Sequence, residues 1–280
     1  MVSNAQRTIT EGIIGQINRY EQVDFGALYA RNVDVWLPVD YDAAGAPYPL
    51  IIAQDGQNLF IPAESFAGVD WGIDEMMTRL ASGGEIRSAV VVGIWNSPAR
   101  LQEYMPERPL YPQRYGKLKQ SFAKRFGGVP CSDAYLTQLI ETVLPFVEAH
   151  YNVARDAKHR MLMGSSMGGL ISLYGLSQYP ELFGGAACLS TSLTILGEAL
   201  HDYIDDAPLY AERHRLYFDY GIEGETPAYE QAMRRLERQV KQRGYRVGRD
   251  LEVYEVPGAP HAESAWRARL DHPFRFLLQP

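Results

Sequence analysis

The sequence predicts an α/β fold, a mostly parallel sheet with helices on both faces. Two observations predict it. Strand and helix signals alternate through most of the 280 residues, which is how a parallel sheet covered by crossover helices is written. The run Ser88–Trp95 is almost wholly apolar, as expected of a strand buried on both faces.

The elements read as follows. Ala30–Leu37 alternates apolar and polar residues and stops at Pro38, and Pro49–Ala53 is a short apolar run followed by the turn pair Asp55-Gly56. No clear helix separates the strands up to about Ala53, so they are expected to be antiparallel. A helix reads from Ser132, its N-cap candidate, to Tyr151, with Leu136, Leu139, Ile140, Val143 and Val147 at helical spacing. Pro145 lies inside it and should kink it or remove a hydrogen bond. Arg160–Met163 reads as a strand and Met167–Ser177 as a helix. Gly185–Leu189 and Leu216–Tyr220 read as strands. Pro227–Gln242 is an amphipathic helix with Tyr229, Met233, Leu236 and Val240 on one stripe. Leu251–Val256 alternates and ends at Pro257. Ser264–Leu278 is a last helix interrupted near Pro273. Residues 1–280 are expected to form one domain, with a lid or substrate loop at 107–128.

Composition narrows the class. With 46% hydrophobic and 22% charged residues the chain reads as an ordinary globular protein. A formal charge of -7 argues against a nucleic-acid partner, which asks for a concentrated basic face. Cys131 and Cys188, the two cysteines, are not in CxxC spacing, so a cysteine zinc site is not expected and two free thiols are. No apolar run is long enough to cross a bilayer, and Met1–Arg7 lacks the apolar core of a signal peptide. A soluble cytoplasmic protein with no membrane partner is expected; the oligomeric state is not readable.

The strongest motif is Gly164-Ser165-Ser166-Met167-Gly168-Gly169, a GxSxG pattern between a strand and a helix. Small neighbours allow the tight turn that lifts a serine off the sheet edge. This context predicts the α/β-hydrolase fold with Ser166 as nucleophile. The Met167 N–H, at the new helix N-terminus, can stabilise an oxyanion. A serine hydroxyl needs a base. Of six histidines, His261 is best placed, in the loop Gly258-Ala259-Pro260-His261 after the last strand and downstream of the serine. The acid that orients it should follow the preceding strand, in Gly221-Ile222-Glu223-Gly224-Glu225. Glu223 is favoured, Glu225 is the alternative, and Asp219 is less suited because it lies within the strand.

These residues resemble the putative esterase (esterase D-like) family of α/β-hydrolases, enterobactin esterase-like members included. The resemblance spans most of the chain. It rests on Arg31-Asn32-Val33, Asp55-Gly56-Gln57-Asn58-Leu59-Phe60, Trp71-Gly72-Ile73-Asp74, Glu103-Tyr104-Met105-Pro106, the serine turn, Asp219-Tyr220-Gly221, and Gly258-Ala259-Pro260-His261 through Trp266. It implies that His261 is the base and that the Gln57 N–H is the second oxyanion donor. The acid position varies among relatives, so Glu223 and Glu225 both stay open. Asp55, Trp71 and Tyr104 are expected to border the substrate, and so is Trp95, with core packing an equal alternative for the three aromatics. The segment 107–128 is rich in Arg, Lys and aromatic residues and would suit an anionic or aromatic acyl ester.

The expected function is hydrolysis of a small-molecule carboxylic ester through an acyl-enzyme, with no metal or organic cofactor. The alternatives are acyl transfer by the same triad and a non-catalytic binding protein on this fold.

Overall fold

The computed structural model describes residues 6–221 and 226–280. Among them nine strands form one sheet in the order β1-β2-β3-β5-β4-β6-β7-β8-β9. These are β1 (Gln6–Ile9), β2 (Gln16–Val23), β3 (Arg31–Leu37), β4 (Leu50–Gln54), β5 (Val90–Ile94), β6 (Arg160–Ser165), β7 (Gly185–Leu189), β8 (Arg215–Gly221) and β9 (Leu251–Val256). The first three run antiparallel, and β3 also meets β5 antiparallel. From β5 onward every pairing is parallel.

The expectation of antiparallel strands up to Ala53 holds for β1–β3 and fails for β4. That strand is parallel to both β5 and β6 at the centre of the sheet. The reason is helix α1 (Ile73–Ser82), which the sequence reading missed. A parallel pair needs a crossover, and α1 supplies it between β4 and β5.

Successive strand residues point to opposite faces, and each face has its own core. Ile51, Val91, Met161 and Tyr217 pack with Ile73, Met77 and Leu80 of α1. The same cluster takes Trp266 from α9 (Glu263–Arg267) and Phe274 and Leu277 from α10 (Asp271–Leu277). Ile52, Val92, Leu162 and Phe218 face the other way. There they meet α2 (Arg100–Tyr104), α3 (Gly116–Phe126), α4 (Ser132–Gln138), α5 (Leu144–His150), α6 (Met167–Gln178), α7 (Glu198–Asp206) and α8 (Pro227–Gln242).

Two prolines behave as their chemistry requires. Ahead of Pro145 the expected single helix passes through a π-helical stretch, Leu139–Val143, between α4 and α5. Proline has no N–H to continue the ordinary ladder, and a π-bulge absorbs the mismatch within one turn. Ser132 is the first helical residue rather than the cap, which is Cys131. The last helix breaks at residues 268–270, before Pro273, because a proline ring clashes with the carbonyl four residues back. In the first turn of α10 its missing N–H costs nothing.

Cys188 is buried in β7 and Cys131 is partly exposed, both as free thiols. Among the described residues no helix is long and apolar enough to cross a membrane.

Candidate active site

Ser166 lies between β6 and α6 with φ 56 and ψ -119. Few residues other than glycine take positive φ, and such a conformation costs about 1–3 kcal/mol. The surroundings hold it there. The Ser166 N–H donates to Leu189 O at 2.8 Å, and its carbonyl accepts from the N–H groups of Leu170 at 3.2 Å and Ser192 at 3.1 Å. Gly164 is forced by contact: a Cβ there would stand 2.5 Å from the carbonyl carbon of Gly168. Helix α6 is apolar nearly all round and buried from Met167 to Ser177, as expected of a helix through the core. Ser166 is its N-cap residue, so the positive end of the helix dipole and the unpaired first N–H groups meet at this serine.

The exit of β4 lies beside the same turn. A methyl on Gly168 would come within 3.0 Å of Asp55 Oδ2. Gln57 sits in a short 3₁₀ turn, Gly56–Asn58, just past the strand end. Its side-chain Oε1 accepts the Asn96 N–H at 3.2 Å.

Asp55, Trp71 and Tyr104 are buried, at 3%, 1% and 0% exposure; for the two aromatics this is the core-packing alternative. Asp55 accepts from Arg100 Nε at 2.6 Å, Arg100 Nη2 at 2.7 Å and Asn96 Nδ2 at 2.6 Å. Its N–H donates to Tyr104 Oη at 3.3 Å. Trp71 packs against Trp266 with ring centroids 5.9 Å apart. Trp95 donates its Nε1–H to Asp34 at 2.9 Å beneath the Arg19 guanidinium.

The loop after β7 carries a group that the sequence reading missed. Ser192 Oγ lies 3.0 Å from Ser166 Oγ. Two residues earlier, Ser190 Oγ accepts from Trp266 Nε1 at 3.0 Å and from Arg269 Nη2 at 2.9 Å. Trp266 in turn packs against the His261 ring in a T-shaped contact, with centroids 5.1 Å apart at 81°. One short loop therefore touches the nucleophile candidate and the tryptophan on which the histidine rests. The available signal was the run of small polar residues Ser190-Thr191-Ser192 directly after a parallel strand, where ligand sites of α/β sheets lie.

His261 is exposed, in the loop between β9 and α9. At the neighbouring strand end Gly221 packs tightly on Ala259, where a Cβ would stand 2.0 Å from the Ala259 carbonyl oxygen. Glu223 and Glu225 lie outside the described residues. Asp219 is fully buried, where it accepts from Arg269 Nη2 at 2.8 Å and from the Tyr217 hydroxyl at 3.2 Å.

The remaining histidines are engaged elsewhere. His201 pairs with Gln239 at 2.6 Å. His214 accepts the Tyr210 N–H at Nδ1 and meets the Pro180 carbonyl at Nε2, which requires the neutral Nε2–H tautomer. His150 bonds Phe146 O, His159 bonds Asp156, and His272 stacks on Tyr254.

Arg108 and Arg114 of 107–128 lie near the C-terminal half of α6. The Arg108 N–H donates to the Tyr174 hydroxyl, and Arg114 pairs with Asp202 of α7 at 2.7 Å. Both arginines border a cavity of about 380 Å³ with Ser177 and Gln178. Eleven residues of helix, roughly 16 Å at the α-helical rise, separate Ser166 from Ser177.

A nine-stranded, mostly parallel sheet with helices on both faces, and a serine at positive φ between a central strand and a buried helix, define the α/β-hydrolase fold. The model of the putative esterase family matches residues 29–277, and the chain belongs to that family. A curated relative, the uncharacterized protein YbbA of Bacillus subtilis (strain 168), is 28% identical over 162 residues, 58% of this chain and 57% of that one. The enterobactin esterase FES of Shigella flexneri, solved in the presence of enterobactin, shares the fold with TM-score 0.67 and 19% identity. The match covers 99% of this chain and 59% of that chain. The chain thus spans a little over half the length of both relatives. A ferulic acid esterase from the anaerobic fungus Anaeromyces mucronatus matches over 98% of this chain and 97% of its own, with TM-score 0.59 and 17% identity.

Proposed function

We propose that this protein hydrolyses small-molecule carboxylic esters through an acyl-enzyme on Ser166. Ser166 Oγ attacks the carbonyl carbon while His261 takes the hydroxyl proton. The tetrahedral oxyanion accepts from the N–H groups of Met167 and Gln57. The intermediate collapses, and His261 returns the proton to the leaving alcohol. Water then attacks the acyl-enzyme with His261 again as base, releasing the acid and restoring the serine. A glutamate of the turn after β8 orients His261; Glu223 is the first candidate and Glu225 the second.

The observation that carries this reading is the backbone of Ser166. A serine held at φ 56 on the N-terminus of a buried helix is strained, and the strain is supported by three backbone hydrogen bonds. Strain of this kind collects at functional sites. Family membership supports ester chemistry, and a neighbour named for ferulic acid supports testing esters of aromatic acids first.

The test pairs turnover with labelling. Wild type should hydrolyse aryl esters and take up a fluorophosphonate probe at Ser166. Ser166→Ala should lose both, with kcat down roughly a million-fold by analogy with a serine protease. Full ester turnover by Ser166→Ala would refute the assignment.

A further inference from the structure

The Asp55-Gly56-Gln57 turn is held by a clamp. Asp55 has φ 56 and ψ 49, a left-handed conformation that costs most residues energy and that aspartate adopts when its side chain is held by hydrogen bonds. Gly56 is pressed against β5, where a Cβ would stand 2.5 Å from the Gly93 carbonyl carbon. The constraint on Asp55 comes from its carboxylate. Arg100 binds it through two parallel N–H···O bonds and Asn96 adds a third at 2.6 Å. Asn96 also gives its backbone N–H to the Gln57 side chain, so Asn96 grips both ends of the turn while Arg100 holds its first residue.

Helix α2 is fixed firmly enough to act as the jaw. Glu103 of α2 is fully buried and accepts from Arg31 at 2.6 and 2.9 Å and from the Ser97 hydroxyl at 2.8 Å. Tyr104 of α2 is buried too, and the Arg100 guanidinium lies 5.1 Å from the centre of its ring. Arg100 is therefore aimed by packing and by a second ion pair.

We infer that Arg100 is a positioning residue: by clamping Asp55 it holds the turn in the left-handed form that aims the Gln57 N–H at the ester carbonyl. This rests on the ester-hydrolase reading above. The planar fork of arginine matters, because it spans both carboxylate oxygens and the point charge of lysine does not.

The experiment compares wild type, Arg100→Lys and Arg100→Met as full chains. It uses a neutral aryl acetate, an anionic aryl hemisuccinate and an arylboronic acid, which forms a tetrahedral anion on an active serine. Arg100→Met should lose about 100-fold in kcat on both esters, the loss typical of one oxyanion donor. KM should stay within about threefold, and boronate affinity should fall with kcat. Arg100→Lys should lie between, and it keeps the test open if the methionine variant folds poorly. Adding Asp55→Asn to Arg100→Met should recover part of the loss, since asparagine tolerates the left-handed region and leaves no unpaired buried carboxylate.

An unchanged kcat in folded Arg100→Met or Arg100→Lys would overturn the inference. So would a loss confined to KM for the hemisuccinate, which would make Arg100 a substrate contact instead. A wild type that neither turns over an ester nor binds the boronate removes the hydrolase reading itself, and the clamp's role with it.

Discussion

Ser192 places a second hydroxyl 3.0 Å from the Ser166 hydroxyl, and either can donate to the other. One hydrogen bond between neutral groups is worth about 1 kcal/mol, so Ser192→Ala should change kcat by less than about tenfold, in contrast to Ser166→Ala. A loss as large as that of the nucleophile would make Ser192 part of the proton path. Asp219 gives a second contrast. Its bond to Arg269 is buried on both sides, and removing one partner of such a pair costs about 3–5 kcal/mol. Asp219→Asn should therefore lower the urea midpoint, while Glu223→Gln, if Glu223 is the acid, should lower kcat by roughly ten-thousand-fold at unchanged stability. At this scale the sequence was readable where the chemistry is local. Ser166, Met167 and the glycines fall within six residues and announce a turn. Arg100 and Asp55 are 45 residues apart, and Arg269 and Asp219 are 50 apart. Nothing in composition or spacing pairs them, because the fold alone brings them together.

Elements position these groups by their ends. Strands β4, β6, β7, β8 and β9 all terminate on one edge of the sheet, and their exits supply Asp55, Ser166, Ser192, Gly221 and the loop of His261. The β4 exit has the least slack. Gly56→Ala would drive a Cβ into the Gly93 backbone, forcing a shift that costs about 1–3 kcal/mol. Because misplacement by an ångström can cost 100-fold in rate, Gly56→Ala should lower kcat by about that factor, measured on folded protein. Helix α8 and strand β9 match the sequence reading residue for residue, since their periodicity is long and clean. Helix α1 was missed and β4 was misplaced as antiparallel. A five-residue apolar strand such as β4 carries no mark of its neighbours' direction, which depends on the helix that follows.

Two histidines outside the site make the stability of the whole molecule sensitive to acid. Burial holds both His201 and His214 below the ordinary value near 6.5, against the favourable contacts of Gln239 and of the Pro180 carbonyl respectively. Both are therefore neutral in the fold at pH values where the unfolded chain binds protons. By linkage, the contribution of these two groups is full above about pH 6.5 and is lost as the pH falls from there through the lower folded values. Replacing His214 with glutamine should flatten this acid limb in urea titrations at a series of pH values. An acid limb of unchanged slope in that variant would assign the effect elsewhere.

The most direct check of the central claim is the mass of the enzyme during turnover. Wild type is mixed with a slowly deacylating aryl ester, quenched in acid and analysed intact, then digested and sequenced by mass spectrometry. If Ser166 is the nucleophile, the enzyme gains the mass of the acyl group, carried by the peptide that contains Ser166. Continued ester turnover with no acyl group on Ser166 at any quench time would contradict it.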